Sequence, residues 1–277
     1  MVTTRSQDKG PEPQAGDKRS HSKAAPAKAE SPDPKQQKTE SSAATEAVEG
    51  GGHNGEETAD AKETTSDTKI SELISKYGEL PLSETDLRDP EKPTPDTVLA
   101  LLLNAMLSST RISHSLAAKT VALVIKTGYH KVDVLKKSTW QERTEVLTEG
   151  GYTHYREKTA TMMGDLAALI EEIYDSDLNS ILGMASEDPA KIRAELKHIK
   201  GLGDVGINIF FDTAQHIWPC LAPYVDPRSM KTAKYIGIGG DVETLWEAVS
   251  KKPDQMCRLA AALTKVRLDA AEKEFQG

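Results

Sequence analysis

The residues best suited to chemistry lie between Leu196 and Lys231, in LKHIKGLGDVGINIFFDTAQHIWPCLAPYVDPRSMK. Gly201 and Gly203 bracket Leu202, and Gly206 follows one turn later. Glycine at 201 and 203 permits positive φ and lets another backbone approach without a Cβ in the way. The amides of Gly203 and Asp204 then open a helix, whose unpaired N–H groups and dipole favour an anion. A glycine hairpin of this kind between two helices suits a nucleic-acid phosphate. Asp226, beside Pro227, supplies a carboxylate on the rim of whatever the hairpin holds. It equally suits the N-cap of the helix that Pro227 opens.

The elements around this stretch read as helices. Residues 1–68 of the 277 contain almost nothing large and apolar, so a disordered tail is expected there. Lys18, Arg19, Lys23, Lys28, Lys35 and Lys38 make its first half basic, and residues 39–68 are acidic. The basic spacing suits either a nuclear import signal or a solvated linker. The folded part, 69–277, begins with a short helix from Ile70 to Lys76. Asp96–Leu107 is apolar nearly all round and reads as the central buried helix. Ser108, Ser109 and Thr110 end it with hydroxyls that line a pocket or cap the next helix. Further helices are expected over Ile112–Lys126, Val132–Lys137, Trp140–Thr148, His154–Tyr174, Leu178–Met184, from Asp188-Pro189 into the hairpin, Asp204–Ile217, Arg228–Ile236, Val242–Ser250 and Pro253–Phe275. No stretch alternates with period two long enough to make a sheet, so the class is all-α.

Composition bounds the function. The tail carries 9 basic and 13 acidic residues and the remainder 26 and 30, so each contributes −4 to the net charge of −8. A mildly acidic domain can grip DNA only if its basic groups gather on one face. Cys220 and Cys257, the two cysteines, exclude a disulfide framework and any four-cysteine cluster. No apolar run reaches the ~18 residues of a membrane span, and the amino terminus has neither an apolar signal region nor the acid-poor character of a mitochondrial presequence.

Residues 96–240 resemble the helix-hairpin-helix DNA glycosylases of the endonuclease III type, the HhH-GPD superfamily. Ile199-Lys200-Gly201-Leu202-Gly203-Asp204-Val205-Gly206-Ile207-Asn208 is similar to the family's L-P-G-V-G-R-K-T-A-N. Asp212-Thr213-Ala214 continues in register with N-T-A, Trp218-Pro219 with W-P, and Val225-Asp226 with the V-D that precedes T-H. Upstream, Leu107-Ser108-Ser109-Thr110 resembles L-S-x-Q/T, and Gly151-Tyr152 with Arg156 resembles the G-h-Y-x-x-K-A turn. The resemblance implies two helical subdomains with the hairpin at the cleft between them and double-stranded DNA crossing it. It implies a phosphate held by the amides of Gly201, Leu202, Gly203, Asp204 and Val205, often with an alkali cation at the hairpin carbonyls. Lys197, Lys200, Arg228 and Lys231 would flank that phosphate. Arg156 and Lys158, in the first turn of a helix, either face a second phosphate or are simply solvated. A target base would be flipped into the cleft, with Ser108, Thr110 and Tyr152 on the pocket wall and Tyr152 either a wedge or an ordinary buried turn residue. Asp226 matches the family's essential aspartate, which stabilises the cationic sugar or activates water.

Three departures refine the expectation. Val205 stands where the family's Schiff-base lysine stands, which closes that route to strand cleavage. Lys200, one turn away, suits a phosphate better than it suits replacing that nucleophile. The two cysteines cannot ligate an iron–sulfur cluster, so no cofactor and no metal centre is expected beyond the alkali cation. Asp204 puts an acid where a base is common. The expected protein is a nuclear, monomeric, monofunctional DNA N-glycosylase of base-excision repair; the alternative is a non-catalytic DNA-binding or lesion-sensing module on the same fold.

Overall fold

The computed structural model describes residues 57–276, with side chains from Thr65 onward. Among these residues the chain is all-helical, with twelve α-helices, two 3₁₀ turns and no strand. The basic run of the tail lies outside the described residues. Helix α1 spans Glu57–Tyr77, so the end of the expected disordered tail is helical. Ile70 and Leu73 on its second half are fully buried, and a helix nucleated by packing propagates upstream at little cost per residue.

Helix α2, Pro95–Ser108, is the hub expected from its apolar circumference. Val98 to Leu103 are each exposed by 1% or less, so the helix is covered on every side. Thr94 caps it, its hydroxyl accepting from the Thr97 amide at 3.1 Å, with Pro95 in the first turn. The hydroxyls that follow bond back to α2 and do not cap the next helix. Ser109 Oγ donates to Met106 O at 2.9 Å and Thr110 Oγ1 to Leu107 O at 2.8 Å, closing the end of α2. Ser113 caps α3, His114–Lys126, instead.

Helices α4 (Val132–Lys137), α5 (Trp140–Glu149), α6 (Arg156–Ile173), α7 (Ser180–Met184), α8 (Pro189–Leu196) and α9 (Asp204–Ala214) complete a first buried cluster running from Leu87 to Leu221. A second cluster joins Ile70 and Leu73 of α1 to Val225 and the residues beyond. It holds α10 (Pro227–Ile236), α11 (Val242–Ala248) and α12 (Pro253–Leu268). Between the two clusters the chain passes from Leu221 to Val225, one residue before Asp226. Helix α12 stops seven residues short of Phe275, where a single long helix was expected. Ala270 takes a φ of 54°, and a 3₁₀ turn over Glu272–Phe275 brings Phe275 edge-on to Tyr77 at 6.1 Å. Packing against α1 therefore overrides the helical propensity of Asp269-Ala270-Ala271.

Candidate functional site

Helix α8 ends at Leu196, the chain turns through residues 197–203, and α9 begins at Asp204. Ile199 N–H donates to Leu196 O at 3.2 Å and Leu202 N–H to Ile199 O at 3.1 Å, which makes the turn tight. The three glycines do different work. Gly201 has a φ of +87°, and a Cβ there would lie 2.3 Å from Met162 Sδ. Gly203, expected to use its freedom in the same way, is extended with φ −87° and ψ −178°. A Cβ on it would meet nothing within 4 Å, so its face is open rather than strained. Gly206 is buried against α2, where a Cβ would come within 3.5 Å of Ala105 O and 2.8 Å of Leu202 Cδ1. It sets the close approach of α9 to the central helix. Leu202 is buried at 4% exposure and anchors the turn; Val205 is 45% exposed on the first turn of α9.

The lysines around the hairpin carry acids of their own. Lys197 Nζ lies 3.0 Å from Asp204 Oδ1, and Lys200 Nζ lies 3.1 Å from Asp165 Oδ2. The Lys197 hydrogen bond holds the Asp204 carboxyl below the usual carboxylate range. Both pairs are exposed and screened by solvent, so they hold these side chains only weakly. Arg156 opens α6 with Glu157 3.9 Å away. Tyr152 takes the form of a buried turn residue. It is 1% exposed, packed in the first cluster, and its hydroxyl accepts from Thr159 Oγ1 at 3.2 Å. An apolar ring with one polar tip fits a core as readily as a cleft, which is why the sequence alone left both open. Ser108 is half-buried and donates to Asn104 Oδ1 at 3.1 Å.

Asp226 occupies the N-cap position of α10, yet its side chain accepts no capping hydrogen bond. Its carboxylate, 5% exposed, turns to Arg228 Nε at 3.1 Å and to Arg267 Nη2 of α12 at 4.0 Å. The Asp226 N–H donates to Asp212 Oδ1 at 2.8 Å. Asp212 lies two residues before the end of α9, and burial, opposed in part by that N–H, pushes its carboxyl well above the usual range. Burial and then the neighbouring Arg228 charge pull Arg267 below its ordinary value, and its Nε has no partner among the described residues. Gln215 completes the frame: its amide nitrogen donates to Asp212 O and Tyr224 O at 3.1 and 2.9 Å, and its oxygen accepts from Tyr224 N–H at 3.1 Å. From Asp204 to Asp212 is about 12 Å along the axis of α9 at ~1.5 Å per residue, so the hairpin and the Asp226 cluster sit toward opposite ends of one helix. Beside the cluster, an open groove of about 500 Å³ is lined by Tyr224, Val225, Met230, Lys231, Lys234 and Asp241 among others.

Asp212 and Arg267 were missed as site residues. Asp212 left a legible trace, an acid set in Ile209-Phe210-Phe211 at a buried register of α9. Arg267 left none, because 41 residues separate it from Asp226 and the two meet only through packing.

A second arrangement mimics a nucleophile and base. Cys257 Sγ lies 3.4 Å from His216 Nδ1, while His216 Nε2 lies 2.9 Å from Pro90 O. A carbonyl only accepts, so Nε2 carries the proton and Nδ1 faces the thiol as an acceptor. Burial pushes the Cys257 thiol up and His216 down, which keeps both neutral and makes the pair structural. A histidine whose folded pKa is depressed contributes stability that is present near neutral pH. That stability is lost as pH falls below the unfolded value of 6.5, because the unfolded chain alone binds the proton. His130, also lowered by burial, adds to the same limb. The urea midpoint is expected to fall from pH 7 to pH 5, and less steeply in His216→Gln; an unchanged slope in that variant would contradict the assignment.

Among the described residues no group of three or more His, Cys, Asp or Glu side chains could hold a metal ion, and no helix is long and apolar enough to cross a membrane. Comparison of the chain with protein-family models, with curated proteins and with solved structures finds no match.

Proposed function

We propose that the protein is a monofunctional DNA N-glycosylase that hydrolyses the glycosidic bond of a flipped base with Asp226. The observation that carries this reading is the posture of Asp226. A carboxylate at a helix start ordinarily satisfies the first amides of that helix, and this one is withheld from them and held between two arginines instead. The chain keeps it at the crossing between its two buried clusters, a place suited to a cleft residue. A fixed anion there would stabilise the positive charge that develops on the sugar as the base departs. The hairpin supports the same reading, since Gly203 is open and the first amides of α9 have no side-chain cap. With valine at 205, no amine is available there for a covalent adduct with the abasic sugar.

The test is a single-turnover panel of duplex oligonucleotides carrying oxidised, alkylated, deaminated or mismatched bases. The expected result is release of one class of base, reduced roughly 10²–10³-fold in Asp226→Asn, with no adduct trapped by borohydride. One observation favours a second reading, a non-catalytic DNA-binding module: Asp226 is only 4% exposed and already paired. No base release from any duplex, together with duplex binding that is unchanged in Asp226→Asn, would favour that reading over the first.

A further inference from the structure

The geometry points to Asp212 as the residue that positions Asp226. This inference rests on the reading of Asp226 as the catalytic carboxylate. Asp212 touches the backbone of Asp226 and belongs to a different helix, so its part is orientation.

The argument begins with what a helix start needs. An N-cap residue is normally fixed by its own side chain, which reaches forward to the amides of the second or third helical residue. Asp226 has given up that tie, so another contact must set its backbone. Asp212 Oδ1 supplies one, accepting the Asp226 N–H at 2.8 Å from the last turn of α9. Gln215, one turn on, grips both the N–H and the carbonyl of Tyr224. The end of α9 thus holds residues 224 and 226, alternate positions of the short loop that leads into α10. With the backbone of Asp226 fixed on one side, its side chain reaches Arg228 and Arg267 on the other. Asp212 is 8% exposed, and the elements packed around it bring Tyr224 and Asp226 from the loop, Arg228 from α10, and Cys257 and Arg267 from α12.

The contact asks of residue 212 one oxygen acceptor within reach of the Asp226 N–H. Asparagine presents the same carbonyl oxygen at the same reach. The inference therefore makes a demand that a merely structural contact would not: Asp212→Asn must preserve the geometry of Asp226, and Asp212→Ala must lose it.

The experiment compares wild type, Asp212→Asn and Asp212→Ala in the full chain, each checked for folding by circular dichroism and thermal melting. Two readouts are taken. One is the amide proton shift of Asp226 by NMR, which needs no activity. The other is the single-turnover rate on the duplex for which Asp226→Asn is inactive. Expected are a displaced Asp226 amide and about a 10²-fold slower rate in Asp212→Ala, with both restored to within about threefold in Asp212→Asn. An unmoved amide in Asp212→Ala, or an asparagine variant that folds yet shows the alanine variant's defect, would overturn the inference. If the alanine variant fails to fold, the asparagine variant alone decides, since loss of the wild-type amide shift there has the same force. If Asp226→Asn proves active, the catalytic reading falls by itself, and the amide readout still reports whether Asp212 sets the backbone of residue 226.

Discussion

Replacing Trp218 with alanine is expected to lower the unfolding free energy by about 3–5 kcal/mol, which is the range for emptying a buried aromatic site. The indole is fully buried and meets Phe210 edge-on, with ring centroids 5.3 Å apart. Its Nε1–H donates to Asn179 Oδ1 at 2.8 Å. Asn179 in turn donates to Pro93 O at 3.0 Å and to Asp177 Oδ1 at 2.8 Å. One side chain therefore ties the end of α9 to the start of α7 and to the turn that leads into α2. Alanine removes the packing and leaves an acceptor without its donor. Trp218→Phe separates the two losses: it keeps most of the apolar volume, and the missing hydrogen bond should cost about 1–3 kcal/mol. Urea unfolding followed by circular dichroism measures both variants. Equal losses in the two would show that the hydrogen bond, rather than the ring, matters here.

A comparable loss is expected at Arg143, where charge rather than apolar volume is buried. Its guanidinium has no carboxylate partner among the described residues and spends its donors on neutral oxygens. Nε donates to Ala160 O at 2.8 Å, and Nη1 to Ser138 O at 2.6 Å and Ser138 Oγ at 3.0 Å. The fork thus joins the turn before α5 to the middle of α6, and a Cβ on Gly164 would stand only 2.6 Å from Nη2. Arg143→Leu should cost about 2–4 kcal/mol, because it removes three hydrogen bonds at a buried position. Arg143→Lys should recover little of this, since an ammonium cannot span the same oxygens. Full rescue by lysine in thermal melting would refute this account of the site.

Much of the helical frame was legible in the sequence because local signals carry it. Val132–Lys137 was placed to the residue, and the starts at Asp188-Pro189, Asp204, Val242 and Pro253 follow from caps and prolines. The misreadings share another cause: a tertiary partner decides between two local options. Ala270 leaves the helix because Phe275 must reach Tyr77. Gly203 is extended because Gly201 alone supplies the reversal. At the site, the hairpin and Asp226 could be named from spacing. The posture of Asp226 could not, since it depends on Asp212 and Arg267 arriving from two other helices.

The second buried cluster has a consequence for how the molecule is made. Ile70 and Leu73 pack with Met256, Leu259 and Leu263, partners more than 180 residues further along the chain. Residues Leu87 to Leu221 are synthesised in one piece and can collapse while translation continues, whereas α1 must wait for α12 to emerge. Closing so long a loop adds little free energy per residue but slows assembly. Arg267 arrives with α12, so during biosynthesis Asp226 acquires its full electrostatic surroundings only after α12 has left the ribosome.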